Sequence, residues 1–211
     1  VAGLKGRGGS HIKGWMEQDN VEIAYLIDPD EKVLAEKLKY VKDRTEGKSN
    51  CKGIADVREA LEDKNLDALS IATPNHWHSL VTVWACQADK DVYVEKPVSH
   101  NIWEGRKMVE AARMYKRVVQ CGFQSRSAPY AMAARKYIKK GKLGDVQLCR
   151  IYNQKPPWGN CPVVPDSAPP PGLDWDIWNG PAPEHDYNKS MHQCWHHQWC
   201  YSGGDIANDA S

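Results

Sequence analysis

The 211-residue sequence lacks any apolar run long enough to cross a bilayer, which predicts that it contains no membrane segment. Its 28 Lys and Arg residues nearly balance its 27 Asp and Glu residues, so bulk charge does not select nucleic acid as a partner. Its seven cysteines form no C-x-x-C pair, and their odd number argues against a disulfide framework. No internal repeat or heptad is present. What remains is the composition of a globular chain, long enough for one full domain and part of a second.

Composition divides the chain near residue 150. From Ile151 onward only Lys155 and Lys189 are cationic, whereas seven residues are acidic, and the same stretch holds nine of the 13 prolines and five of the nine tryptophans. Such a change is typical of a domain boundary. Together with the predicted elements, it leads us to divide the chain into a first domain, residues 1–125, and the beginning of a second, residues 126–211.

Strands and helices alternate through the first domain. Apolar runs predict strands at 21–27, 67–72, 92–94 and 118–123, and apolar residues at helical spacing predict helices at 31–44, 76–88 and 131–140. Asp56 with Glu59, and Asn101 with Glu104, have the spacing of helix starts. This alternation predicts an α/β fold with a parallel, doubly wound sheet. Another strand, 145–152, is expected in the second domain, followed by a proline-rich loop at 156–171.

A glycine-rich turn stands at the start of the sequence. Gly3, Gly6 and Gly8 precede a helix, where backbone N–H groups can approach a pyrophosphate. Lys5 replaces the second glycine of the G-x-G-x-x-G pattern, so a plain tight turn is the alternative. Residues 1–3 resemble the end of a strand whose beginning is missing, and localisation therefore stays open, with the cytoplasm as the default.

Asp28 ends the second predicted strand about 20 residues after Gly8, the distance at which an acidic group binds the adenosine ribose of a dinucleotide. Its carboxylate would repel a 2′-phosphate, which favours NAD over NADP. The alternative is that Asp28 only caps the helix that begins near Asp30.

Histidines and cysteines occur in two groups that invite a metal interpretation. The first lies in the turn Thr73–His78, directly after an apolar run, and the second comprises His192, Cys194, His196, His197 and Cys200. Neither spacing matches a familiar zinc pattern. We expect no metal, and interpret the second group, with Trp195 and Trp199, as a polar and aromatic pocket wall.

Lys96 follows the short apolar strand Val92–Val94, in the sequence Glu95-Lys96-Pro97. Ligands of open α/β sheets bind at the carboxyl ends of the strands, and three polar turns are expected at this edge. A solvated surface lysine is the alternative. The neighbours favour a functional lysine, because proline fixes the local backbone and glutamate can hold the ammonium in place.

These motifs, in this order, resemble those of the Gfo/Idh/MocA oxidoreductases, named for glucose-fructose oxidoreductase and inositol dehydrogenase. The resemblance rests on the glycine turn, Asp28, Thr73–His78, Glu95-Lys96-Pro97 and Gly122–Arg126, and Asp174–Pro183 is similar to a segment of one bacterial branch. It implies a Rossmann NAD-binding domain followed by the start of an α+β substrate domain, truncated in this sequence. It also implies a sugar-like substrate and a homo-oligomer at full length.

The resemblance assigns roles to particular residues. Contacts with NAD are expected from Gly3, Lys5, Gly6, Arg7, Gly8, Asp28, Thr73, Pro74, Asn75, His78, Glu95, Lys96 and Gln124. Catalytic roles are expected for Lys96, Asn208 and Asp209, and substrate contacts for Lys96, Arg126 and Trp158. The expected reaction is hydride transfer between a sugar, polyol or cyclitol hydroxyl and nicotinamide, in which the Lys96 ammonium stabilises alkoxide character while a general base takes the proton.

Two other functions remain open at this point: an NAD-dependent, redox-assisted glycosidase, and a non-catalytic NAD-binding regulatory protein. Family members usually take the base from a histidine after the glycine pair Gly203-Gly204, and the 211 residues do not reach it. We therefore expect the 211-residue chain alone to be inactive. We also expect it to be poorly folded, because the missing beginning of the first strand normally lies at the centre of the sheet and its absence leaves neighbouring backbone groups unpaired. Cooperative unfolding or turnover by this chain would contradict that expectation.

Overall fold

The structure, a computed structural model, describes residues 1–152 and 161–204. Its sheet strands are β1 (Tyr25–Ile27), β2 (Lys52–Ile54), β3 (Ala68–Ile71), β4 (Asp91–Glu95) and β5 (Val119–Gly122). All of the ladders are parallel, with β1 beside β2 and β4 between β3 and β5. Ala2 bridges Ile27 and Ile71 and joins the two halves, so the first residues of the chain occupy the centre of the sheet. The predicted parallel, doubly wound architecture is confirmed.

Helices follow the strands, as the periodicity predicts. They are α1 (Arg7–Met16), α2 (Glu31–Arg44), α3 (Val57–Leu61), α4 (Asn75–Gln87), α5 (Ile102–Met114), α6 (Pro129–Lys139), α7 (Trp175–Asn179) and α8 (Lys189–Gln193), with 3₁₀ turns at Gln124–Ser127 and Trp195–His197. The side chains of Asp56 and Asn101 accept backbone hydrogen bonds at the starts of α3 and α5, as predicted. Gly141 has a φ of 69°, a left-handed conformation just after α6.

Two strand predictions need correction. The predicted strand 21–27 is a strand only at Tyr25–Ile27, because its partner β2 pairs with three residues. The predicted strand 145–152 is not a strand: these residues are exposed, and none of them pairs in a ladder with another described residue. Since a strand exists only through its ladder, alternation in the sequence does not suffice.

Apolar residues from the strands and helices form two core clusters on the sheet. One, around Ile71, Val81 and Val94, packs α4 and α5 against it, and the other, around Leu4, Ile12 and Leu26, packs α1 and α2. No described helix is long and apolar enough to cross a membrane.

A third cluster lies in residues 172–202, which we call the aromatic cap. Its buried members are Leu173, Trp175, Trp178, Tyr187 and Tyr201. The Trp175 and Trp178 rings are stacked, with centroids 5.0 Å apart. Because this cluster has its own core, the cap is a small separate layer placed over the carboxyl edge of the sheet.

Candidate functional site at the carboxyl edge of the sheet

The glycine turn links the central segment to α1. Gly3 and Gly6 have φ values of 77° and 48°, which side-chain-bearing residues rarely adopt. A Cβ on Gly3 would lie 2.6 Å from Ala72 O, and a Cβ on Gly8 would overlap the Gly3 carbonyl oxygen. The turn therefore packs backbone against backbone and presents the N-terminus of α1 at the sheet edge.

Asp28 lies beside this turn and is 8% exposed. Its Oδ2 accepts from Leu4 N at 2.9 Å and its Oδ1 accepts from Asp30 N at 3.1 Å. Burial raises the pKa of Asp28, against the lowering effect of these two backbone donors. The helix-cap alternative fails, because Asp30 itself caps α2 by accepting from Lys32 N and Val33 N. Lys5, at the position of the missing glycine, forms an ion pair with Asp30 at 3.2 Å.

The turn after β3 contributes polar groups to the site, some with hydrogen-bond partners among the described residues and some without. Thr73 Oγ1 is buried and has no hydrogen-bond partner among the described residues. Asn75 Nδ2 donates to Ser202 Oγ at 3.1 Å. The His78 ring nitrogens lie 2.7 Å from Pro97 O and 2.9 Å from Thr73 O, and burial lowers the pKa of His78 more than these carbonyls raise it. His78 thus joins two strand-end turns.

Glu95, at the end of β4, is 3% exposed and anchors the neighbouring elements. Its Oε1 accepts from Arg7 Nε at 2.9 Å and contacts His11 Nε2 at 3.1 Å, and its Oε2 accepts from Lys96 N at 3.2 Å. Burial alone would raise its pKa, but the hydrogen bonds from His11 and Arg7 outweigh burial and lower the pKa to about 2. Glu95 is therefore a carboxylate at neutral pH.

The aromatic cap docks on the same edge through backbone carbonyls. Trp178 O accepts from Trp77 Nε1 at 3.1 Å and lies 3.2 Å from His76 Nε2, while His76 N donates to Tyr201 O. Burial lowers the pKa of His76 to about 4, although the Trp178 carbonyl partly opposes this. Gly180 has a φ of 48°, and a Cβ there would overlap the Trp77 ring. The cap therefore fits α4 closely.

These groups enclose one cavity of about 540 Å³. It brings together most of the predicted site residues: Gly3, Lys5, Gly6, Arg7, Asp28, Thr73, Pro74, Asn75, His78, Glu95 and Lys96. Gly8 lies beneath the turn instead, and Gln124 and Arg126 are exposed and do not line the cavity. Trp158, Asn208 and Asp209 lie outside the described residues. Within the described ranges, no three His, Cys, Asp or Glu side chains are grouped to hold a metal ion.

Sequence reasoning missed part of the site. Arg7, expected to contact NAD, lines the cavity, and the sequence did not indicate its partners: its Nε is bound to Glu95, and its Nη2 lies 3.1 Å from the Gln124 side-chain oxygen once that amide is oriented to satisfy its partners. The cap adds lining residues: Ile177, Trp178, His192, Gln193, Trp195 and His196. Trp195 agrees with the predicted aromatic wall, whereas Trp199 is 81% exposed. The Asp174–Pro183 motif was the available signal for the cap.

The fold and the site define a Rossmann nucleotide-binding protein. The family model described as an oxidoreductase family with an NAD-binding Rossmann fold matches residues 1–123, and the model of its C-terminal alpha/beta domain matches residues 133–210. The chain belongs to this Gfo/Idh/MocA oxidoreductase family, as the motifs indicate.

Two dehydrogenases are among the proteins that are similar in sequence. The chain is 27% identical over 124 residues to myo-inositol 2-dehydrogenase of Thermotoga maritima, covering 59% of this chain and 34% of the relative. It is 32% identical over 92 residues to levoglucosan dehydrogenase of Pseudarthrobacter phenanthrenivorans, covering 44% of this chain and 24% of the relative. The matched region thus spans about a third or less of these two proteins.

Solved structures share the fold. Myo-inositol 2-dehydrogenase from Lactobacillus plantarum has a TM-score of 0.60 at 22% identity, covering 69% of this chain and 41% of that one. The WlbA dehydrogenase from Bordetella pertussis, solved with NADH and UDP-GlcNAcA, has the same TM-score and identity and covers 68% and 41%. At this identity the likeness supports the architecture alone.

Proposed function

We propose that the protein is an NAD-dependent dehydrogenase that transfers hydride between a hydroxyl of a sugar, polyol or cyclitol and the nicotinamide. The observation that carries this proposal is that one cavity is lined by the glycine turn, Asp28, the Thr73–Asn75 turn and Glu95-Lys96 together. A dinucleotide in a Rossmann fold lies across these strand ends. The division at residue 125 into a cofactor domain and a substrate domain is part of the same proposal.

The residues present fit such a cofactor. Gly3 and Gly8 leave no room for a Cβ, which keeps the turn close to its neighbours, and the α1 N-terminus favours a pyrophosphate. The buried Thr73 hydroxyl has an unused hydrogen-bonding capacity beside the cavity. When bound, NAD supplies the hydride acceptor.

The adenosine end is acidic. Asp28, Asp30 and Asp56 all line the cavity, and Lys5 and Arg58, the nearby cations, are paired with Asp30 and Asp56. This arrangement favours ribose hydroxyls over a 2′-phosphate, and hence NAD over NADP. Asp28→Ala should weaken NAD about tenfold or more, because hydrogen bonds to charged groups are lost, while NADP is affected less. Equal wild-type affinities for NAD and NADP, unchanged in Asp28→Ala, would contradict the proposal.

Lys96 carries the proposed chemistry. Its ammonium would hydrogen-bond to the reacting hydroxyl oxygen and stabilise the negative charge that develops as hydride leaves carbon. Its backbone is held by Glu95, and His78 supports the following Pro97 carbonyl. The stretch with Asn208 and Asp209 is assigned to proton transfer by the resemblance.

The test is a screen of sugars, polyols, cyclitols and glycosides with the whole protein and NAD, monitored through the absorbance of the reduced cofactor. Lys96→Met should lower kcat about a hundredfold to a thousandfold, as for loss of one donor to a developing oxyanion. Lys107→Met, a surface lysine paired with Glu110, is the matched control and should leave turnover unchanged. Glycoside cleavage without net reduction of NAD would contradict simple dehydrogenation, and retained turnover in Lys96→Met would contradict the role of Lys96.

A further inference from the structure

A chain of hydrogen bonds runs beneath the glycine turn from α1 to the end of β4. Trp15 Nε1 donates to Ser70 Oγ at 2.9 Å, and the same oxygen lies 2.9 Å from His11 Nδ1. His11 Nε2 lies 3.1 Å from Glu95 Oε1. His11, Ser70 and Glu95 are each less than a tenth exposed, so water does not replace these partners.

Trp15 sets the donor and acceptor roles along this chain of hydrogen bonds. An indole N–H can only donate, so Ser70 Oγ accepts from Trp15 and keeps its own hydrogen to donate. Among the described residues, the acceptor within reach of that hydrogen is His11 Nδ1. A neutral His11 then carries its proton on Nε2 and donates to Glu95, and every polar atom in the chain has a partner.

The chain ends on a carboxylate that lines the cavity. Glu95 Oε1 accepts hydrogen bonds from His11 Nε2 and Arg7 Nε, and Glu95 Oε2 accepts one from the backbone N–H of Lys96. The Tyr93 ring meets the His11 ring edge-on at 5.3 Å and closes the other side. His11 is thus held at both ring nitrogens and by the Tyr93 ring, and among the described residues its hydrogen-bond partner that lines the cavity is Glu95.

We infer that His11 is a positioning residue for the nicotinamide end of the cavity, fixed as its Nε2–H tautomer by Trp15 and Ser70, and that it holds Glu95 against the Lys96 peptide. The inference rests on the proposed function, which puts the nicotinamide beside Glu95 and Lys96. Oxidised nicotinamide is cationic, so a fixed carboxylate there favours its binding. The proposed contacts with the adenosine and the pyrophosphate do not involve this chain of hydrogen bonds.

Binding of NAD⁺ and of ADP-ribose, which lacks the nicotinamide, separates positioning from general structural support. His11→Leu should weaken NAD⁺ about tenfold, as expected when a carboxylate loses a charge-assisted hydrogen bond, and leave ADP-ribose unchanged. His11→Gln can still donate to Glu95 and should restore NAD⁺ affinity. Equal weakening of both ligands, no weakening of either, or no rescue by glutamine would overturn the inference.

A second measurement needs no cofactor and covers the case in which His11→Leu does not fold. The ¹⁵N spectrum of histidine-labelled wild-type protein, assigned by comparison with His11→Gln, should show a protonated Nε2 and an unprotonated Nδ1 for His11 in the neutral ring. A protonated Nδ1 would overturn the inference. Failure of the wild type to bind either NAD⁺ or ADP-ribose would instead contradict the proposed function, which keeps the two results distinguishable.

Discussion

The strand-end turns and the aromatic cap line the same cavity but are built in different ways. The turns are set by neighbouring residues: glycines at positive φ, and aspartates and asparagines that cap helices. The cap is held by contacts across about a hundred residues, such as Trp178 O with His76 and Trp77. The comparison indicates that the turns depend on backbone geometry, whereas the cap depends on its own aromatic core and on docking.

The largest expected effect is at Gly8. Gly8→Ala places a Cβ on the Gly3 carbonyl, so the turn at the centre of the sheet must move, and we expect a loss of about 4 kcal/mol or more in the free energy of unfolding. Urea unfolding of the whole protein measures this loss. Gly14→Ala in the same helix is the control: a Cβ there meets nothing within 4 Å, and we expect a gain of up to about 1 kcal/mol. Similar effects of the two changes would contradict the account of the turn.

The next effect separates the cap from the sheet. Trp175 is 8% exposed, stacks on Trp178 and donates to His185 O at 3.0 Å. Trp175→Ala should cost the cap about 3–5 kcal/mol, and hydrogen exchange should accelerate in 172–202 while the sheet stays protected. Trp199→Ala, in the same segment but 81% exposed, should leave exchange unchanged. Equal acceleration in sheet and cap would show that they unfold as one unit.

Acid should weaken the two regions in different pH windows, and Glu95 governs the lower one. Its pKa falls from 4.5 to about 2 on folding, so its contribution is complete above pH 4.5 and is lost as the pH falls toward 2. The total is about 3 kcal/mol. The free energies of unfolding of wild-type and Glu95→Gln whole protein, measured with urea from pH 7 to pH 2, should converge over this window. A constant difference between them would contradict the assigned interactions.

The pKa of His76, which contacts the cap, sets the pH window at higher pH. Its pKa falls from 6.5 to about 4 on folding, so the unfolded chain binds a proton first and stability is lost as the pH falls from 6.5 toward 4. At pH 5 the loss is about 2 kcal/mol. Burial and the charge of Lys5 lower the pKa of His192 in the same direction. The protection factors in the cap, which correct for the slower intrinsic exchange at low pH, should be lower at pH 5 than at pH 7, and His76→Gln should reduce this difference. Equal protection at both pH values would contradict it.

These regions also differ in how far the sequence predicts them. The helix 31–44 agrees with the structure to the residue, and Asn101 caps its helix as predicted, because periodicity and capping are local signals. The contacts of Arg7 and His11 with Glu95 were not predicted, since Glu95 lies more than 80 residues from both along the sequence. The sequence also could not show that 145–152 lacks a partner strand, because alternation of apolar residues does not specify which strand would pair with it.

The central claim is that one dinucleotide lies across the strand-end turns. A crystal structure of the protein with NAD⁺ tests it most directly. The account predicts the adenosine ribose within hydrogen-bond distance of Asp28, the pyrophosphate at the start of α1, and the nicotinamide beside Lys96. A cofactor bound elsewhere, or a Lys96 ammonium that points away from the nicotinamide into solvent, would contradict it.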